Sequence, residues 1–150
     1  MSKNKDILFT IIIPTYNNAF LLKNSISSVI SQTFSNFELL VIDNNSKDET
    51  SEVISKFNDS RITHINIENK GIIAKSRNLG IKLAKGEWIA FLDSDDLWYP
   101  QRLEKISNSI TGNFKLDVIT TNEYKVFEKS SKKENLFYGV RGKNKYKSLL

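Results

Sequence analysis

Short apolar runs that stop at polar residues alternate along the chain with longer stretches in which apolar residues recur every three or four positions. Residues 7–13 form a β-branched run ended by Pro14, residues 37–42 stop at Asp43-Asn44-Asn45, and residues 88–92 stop at Asp93-Ser94-Asp95-Asp96. Runs apolar on both faces suit strands of a covered parallel sheet. Residues 62–67 alternate less cleanly and read as another strand. Between the strands, Leu22, Ile26, Val29 and Ile30 fall at i, i+4, i+7 and i+8, one helical stripe, with Asn17 or Asn18 available as cap. Ser46-Lys47-Asp48-Glu49 has capping-box spacing ahead of Val53, Ile54 and Phe57. Residues 72–84 predict a third helix closed by Gly86, and Pro100 suits the first turn of a fourth with Leu103, Ile106 and Ile110 on one face. Residues 117–121 and 124–127 read as further strands, and residues 128–134 as a charged loop. Strand and helix in strict alternation predict an α/β fold, a mostly parallel sheet flanked by helices and wound by right-handed crossovers.

That architecture tells where chemistry belongs. Ligands of open parallel sheets bind beyond the carboxyl ends of the strands. There the chain places Pro14-Thr15-Tyr16-Asn17, Asp43-Asn44-Asn45-Ser46, Asn69-Lys70-Gly71 and Asp93-Ser94-Asp95-Asp96. Asp93, Asp95 and Asp96 repel one another at close range, so the run calls for a cation or strong donors. An Asx-turn capping the next helix accounts for one aspartate but hardly for three. Hard oxygen ligands favour Mg²⁺ or Mn²⁺, commonly completed by substrate phosphates. An EF-hand loop starting at Asp93 fails, because Leu97 and Trp98 stand at its fifth and sixth positions. Arg77 falls near the start of the third helix, where a guanidinium either clamps a phosphate or makes an ordinary surface ion pair.

Composition narrows the choice. The 150 residues carry no cysteine and one histidine, His64, which excludes thiolate metal sites and thiol catalysis and leaves carboxylates as the main chemical resource. The six glycines form neither a Walker A loop nor a G-x-G-x-x-G fingerprint. The net charge of +5 resides in the tail, where residues 125–147 hold seven Lys and one Arg against two Glu. That tail reads as a solvated face rather than a nucleic-acid platform, since its aromatic residues lack regular spacing. Its lysines also allow loose attachment to an anionic membrane surface. The longest apolar run is five residues and no signal-peptide cleavage site follows residues 7–13, so a cytoplasmic protein, peripheral at most to the inner membrane face, is expected.

Four segments in order resemble the family 2 glycosyltransferases of GT-A fold. They are Ile11-Ile12-Ile13-Pro14-Thr15-Tyr16-Asn17; residues 38–50 around Asp43-Asn44-Asn45-Ser46; Asn69-Lys70-Gly71 with Ala74, Arg77 and Asn78; and Phe91-Leu92-Asp93-Ser94-Asp95-Asp96 with Trp98 and Pro100. The resemblance implies transfer of a sugar from a nucleotide diphosphate donor, usually UDP-linked, to a glycan or lipid-linked acceptor of a surface polysaccharide, with inversion. It further implies donor contacts from Pro14, Thr15, Tyr16, Asn17, Asp43, Asn44, Lys75, Arg77, Asp93 and Asp95, and a Mn²⁺ or Mg²⁺ ion on Asp95 and Asp96. Many members carry a second acid where Asn44 stands, so base recognition differs here; an amide both donates and accepts. The family's general base lies beyond the region the resemblance covers, so no catalytic residue is named. A non-catalytic nucleotide-sugar-binding module is the competing expectation. With no internal linker, residues 1–150 read as one domain with its core at about 7–121 and an acceptor-side region starting at 122, and the unterminated end reads as a fragment.

Overall fold

The computed structural model describes residues 9–111, 117–121, 123–126 and 133–136. The chain divides into two units, residues 1–107 and 108–150. In the first, four strands, β1 (Phe9–Thr15), β2 (Phe37–Asp43), β3 (Ile62–Asn66) and β4 (Trp88–Phe91), form a wholly parallel sheet in the order β3-β2-β1-β4. Helices α1 (Ala19–Ile30), α2 (Thr50–Ser55) and α3 (Ile73–Leu83) alternate with them, and α4 (Arg102–Thr111) follows β4 and runs across the boundary at residue 107. β1 and β2 are buried at every position, whereas edge strands β3 and β4 alternate between half-buried and exposed. For β3 the exposure matches its ragged run; β4 differs from the sequence reading, since its unbroken apolar run lies at an edge of the sheet and is half exposed.

Successive side chains of β1 and β2 point to opposite faces. Ile12, Leu40 and Ile42 form one buried cluster, which Ile65, Ile67 and Leu79 of α3 complete. α3 lies so close that a Cβ on Gly80 would come within 2.7 Å of Ile12 Cγ2. Leu22, Ile26 and Val29 of α1 are fully buried, as the predicted stripe requires.

Several boundaries differ from the sequence reading, each for a local reason. Pro14 lies inside β1, opposite Ile42, rather than ending it. The Ile12 carbonyl accepts from Leu92 N–H, so the side of β1 that Pro14 shares by period two faces β4, which has already ended there. The missing N–H therefore breaks no ladder. Ser46 does not open α2. Its hydroxyl turns to Asp43, and α2 starts at Thr50, whose N–H and hydroxyl both donate to Asp48 Oδ1. Asp48 Oδ2 meanwhile accepts from Ala19 N–H, so one carboxylate caps α1 and α2 together, a task the sequence assigned to Asn17 or Asn18.

Gly86 is not the cap of α3, which ends at Ala84. Its own Cβ would stand 2.6 Å from the backbone of Phe9 and Thr10, so it is a close-approach glycine at the amino edge of the sheet. There the Thr10 hydroxyl donates to Glu38 Oε1 at 2.7 Å and accepts from Gly86 N–H at 2.9 Å, while Lys85 N–H donates to the same carboxylate oxygen. Pro100 stands just ahead of α4, and Leu103 N–H is capped by Gln32 Oε1 instead.

In the second unit residues 117–121 form no strand, while β5 (Glu123–Val126) pairs antiparallel with β6 (Lys133–Leu136). β6 begins within what reads as charged loop, because its Lys and Glu residues hide the strand pattern. Residues 7, 8 and 127, and the rest of the predicted loop, lie outside the described residues.

Candidate functional site

The chain runs β1, β2, β3 outward in one direction and then returns to place β4 on the other side of β1. This reversal makes a switch point, where the loops leaving β1 and β4 diverge and open a crevice at the carboxyl edge. A cleft of about 230 Å³ lies at that edge, walled by Pro14, Thr15 and Tyr16 after β1, Asn44 after β2, Asn69 and Gly71 before α3, Ile73 and Ser76 on α3, and Ser94 after β4. A second cleft of about 350 Å³ shares Tyr16, Asn44 and Gly71 and adds Asn45, Lys47, Glu68 and Lys70. Tyr16, 58% exposed, stands between the two.

The loops are held open by their own hydrogen bonds. Asn17, Asn45, Lys70 and Gly71 take positive φ of 46°, 55°, 57° and 76°, so the chain turns sharply at the rim. Asn17 N–H donates to the Ser46 hydroxyl at 2.9 Å, and Asn17 Oδ1 accepts from Lys47 N–H at 2.7 Å. Asn44 N–H continues the ladder onto the Thr15 carbonyl, and Asn44 Oδ1 accepts from Asn69 N–H at 2.7 Å. Asn69 in turn holds Gly71 N–H with its oxygen and the buried Ser76 hydroxyl with its amide. Ser94 is tied to α1: its hydroxyl accepts from Asn18 Nδ2 and its carbonyl from the Ser25 hydroxyl, both at 2.9 Å.

Asp43 is 1% exposed. Its Oδ1 accepts from both the N–H and the hydroxyl of Ser46, and its Oδ2 faces His64 Nε2 at 3.3 Å. Thr15 is also buried, yet its hydroxyl makes no hydrogen bond. Arg77 Nη2 meets Asp93 Oδ1 at 2.6 Å with the guanidinium 5.7 Å over the Phe91 ring, while its Nε is buried without a hydrogen bond. The ion pair that the sequence held open for Arg77 is thus formed, with two partners that are themselves about a third to a half exposed. The Asp run folds as a turn, Asp96 N–H donating to the Asp93 carbonyl, and Trp98 anchors its far end by burial and by an N–H bond to the Ser28 hydroxyl.

Of the residues singled out in the sequence, Pro14, Thr15, Tyr16 and Asn44 share the first cleft, and Asn17 and Asp43 brace its rim. Lys75, exposed on α3, and Arg77, Asp93, Asp95 and Asp96 line neither cleft. Among the described residues no three acidic or histidine side chains gather into a metal-binding group. Asp95 and Asp96 are exposed, and two hard carboxylates suit a divalent ion whose remaining ligands are phosphates and water. Sequence reasoning placed Ser46, Asn69 and Ser94 in the loops at this edge without giving them a role, and it missed Ser76, which reaches the cleft from the first turn of α3.

A family model described as Glycosyl transferase family 2 matches residues 10–149. An Escherichia coli protein named as a UDP-Glc:α-D-GlcNAc-diphosphoundecaprenol β-1,3-glucosyltransferase is 45% identical over 72% of the chain, which covers 43% of that relative. The chain spans less than half the length of the curated relatives it matches. Staphylococcus aureus TarS 1–349 in complex with UDP-GlcNAc superposes with a TM-score of 0.67 at 32% identity over 70% of this chain and 31% of that one. A Pyrobaculum calidifontis mannosyltransferase in complex with GDP-Man and Mn²⁺ does so at 0.58, with 28% identity over 68% of this chain and 31% of that one. No helix among the described residues is long and apolar enough to cross a membrane.

Proposed function

The chain belongs to glycosyltransferase family 2, and from that premise we propose that its first unit binds the uridine diphosphate part of a sugar donor in the cleft beside Tyr16, for inverting transfer to a glycan or lipid-linked acceptor. The observation that carries this reading is the Thr15 hydroxyl, buried in the cleft wall and unpartnered. A buried hydroxyl without a partner costs on the order of 1–3 kcal/mol, which a ligand hydrogen bond offsets. The surrounding groups suit the same ligand. Tyr16 offers an exposed ring for a nucleobase, Asn17 shapes the turn that presents it, and Asn44, with its oxygen held by Asn69, keeps amide N–H donors for a base carbonyl.

The diphosphate is assigned to the Arg77 and Asp95 side of the cleft. Arg77 commits one N–H to Asp93 and has other donors for phosphate oxygens, and exposed Lys75 adds positive charge at the same end of α3. Asp95 and Asp96 would hold Mn²⁺ or Mg²⁺; bound there, the ion neutralises charge developing on the leaving diphosphate. Asp93, by restraining Arg77, fixes the guanidinium before the donor arrives. We assign no general base among these residues. Residues 122–150 are read as the beginning of the acceptor side of one nucleotide-sugar-binding domain, acting at the cytoplasmic face of the membrane on a substrate like that named for the Escherichia coli relative.

Titration calorimetry of UDP in the presence of Mn²⁺ tests the reading. Wild type binds, and Thr15→Val binds UDP about tenfold more weakly while its unliganded form melts no lower. Failure of wild type to bind UDP removes the donor assignment. Binding without any turnover of a UDP-sugar, in a chain extended to the length of its relatives, favours a non-catalytic module.

A further inference from the structure

Asp43 has little capacity left for a ligand. A carboxylate offers about four lone-pair positions, two per oxygen. Both on Oδ1 are occupied by Ser46, whose hydroxyl also receives Asn17 N–H from the rim of the cleft. The remaining vacancy is on Oδ2, the oxygen that faces His64 Nε2 at 3.3 Å. His64 reaches it from β3, in register with Val41, two residues before Asp43 on the same face of β2. It is itself mostly buried, its side chain 21% exposed.

We propose that His64 is a positioning residue for nucleobase recognition, holding the Asp43 carboxylate so that Oδ2 presents a single acceptor at the carboxyl end of β2. The inference rests on the donor-cleft reading above. A lone acceptor complements a base edge that carries an N–H, as uracil does at its ring N3. Cytosine has an unprotonated ring nitrogen at that place, so it would face Oδ2 acceptor to acceptor. His64 touches no ligand in this arrangement. It acts on the choice between bases, because without its N–H the carboxylate is held at Oδ1 alone and the last acceptor position on Oδ2 is no longer aimed.

The test compares UDP and CDP binding to the full chain by calorimetry with Mn²⁺ present, in wild type, His64→Ala and His64→Gln. The expected result is that His64→Ala loses about tenfold in UDP affinity with CDP affinity unchanged. His64→Gln, which retains an N–H donor, recovers UDP binding to within about threefold of wild type by the same hydrogen-bond arithmetic. A UDP-to-CDP ratio in His64→Ala equal to that of wild type overturns the proposal, and so does an equal loss for both nucleotides, which marks a purely structural histidine. Wild type that binds neither nucleotide overturns the cleft reading itself.

Discussion

Gly80→Ala is a demanding probe of the packing between α3 and the sheet. The added methyl would stand 2.7, 2.8 and 2.9 Å from Cγ2, Cδ1 and Cγ1 of Ile12, which is fully buried and hemmed in by Leu40 and Ile42. Overpacking of this kind costs about 1–3 kcal/mol, and three contacts onto one immobile side chain put it near the upper figure. The intrinsic preference of a helix for Ala over Gly returns about 1 kcal/mol. The expected net loss is therefore about 2 kcal/mol, read as a lower urea midpoint with unchanged slope by far-ultraviolet circular dichroism. Ile12→Val removes Cδ1 and by itself costs about 1 kcal/mol. In the double variant part of the clash is gone, so the two losses should fall short of additivity by about 1 kcal/mol. Because α3 also carries Ile73 and Ser76 to the cleft wall, Gly80→Ala should weaken UDP binding as well. A Gly80→Ala protein as stable as wild type, with strictly additive losses in the double variant, would refute the argument and show that α3 is free to ride away from β1.

Other consequences are open to measurement. Asp48→Ala removes the side chain that caps two helices and should cost about 1–2 kcal/mol in denaturant unfolding. Burial alone would raise the Asp48 carboxyl, but the Thr50 hydroxyl and the N–H groups of Ala19 and Thr50 outweigh it and hold the group below its ordinary value of 3.8. A depressed carboxyl stabilises the fold above that value, so the gap between wild type and Asp48→Ala should be constant near neutrality and close as the pH falls below about 4. Arg77→Lys should weaken UDP several-fold, since an ammonium cannot serve Asp93 and a phosphate with one planar fork; unchanged affinity would leave Arg77 as an ion-pair partner of Asp93 and nothing more. Asp95→Ala and Asp96→Ala should each abolish the enhancement of UDP binding by Mn²⁺ without lowering the melting temperature of the unliganded chain, and retention of that enhancement in both would remove the metal assignment.

The sheet was legible because β1 and β2 are buried on both sides, so every position from Phe9 to Ile13 and from Phe37 to Ile42 had to be apolar or internally bonded. Thr10 and Glu38 look like exceptions in the sequence and are resolved by bonding each other. The cleft was half legible. Pro14 to Tyr16, Asn44 and Ser94 announce themselves by following apolar runs, whereas Ser76 enters only because α3 packs against β1 and β2. Cap assignments were read wrongly for a related reason: local spacing nominates Ser46 and Asn18, but Asp48, remote in sequence from α1, reaches Ala19 first. The pairing of Arg77 with Asp93 joins a helix to the end of a strand and has no signature in either segment alone.

The strand order also has a bearing on how the chain is made. β1 is made before the other strands of its sheet, yet its partner on one side is β4, which arrives only after β2, β3 and three helices have emerged. Until then one row of β1 amides and carbonyls, flanked by Phe9, Ile11 and Ile13, is an open template for another nascent molecule. Slow translation or arrest between β1 and Trp88 should therefore yield aggregates built on β1, and holding chaperones should matter most over that interval.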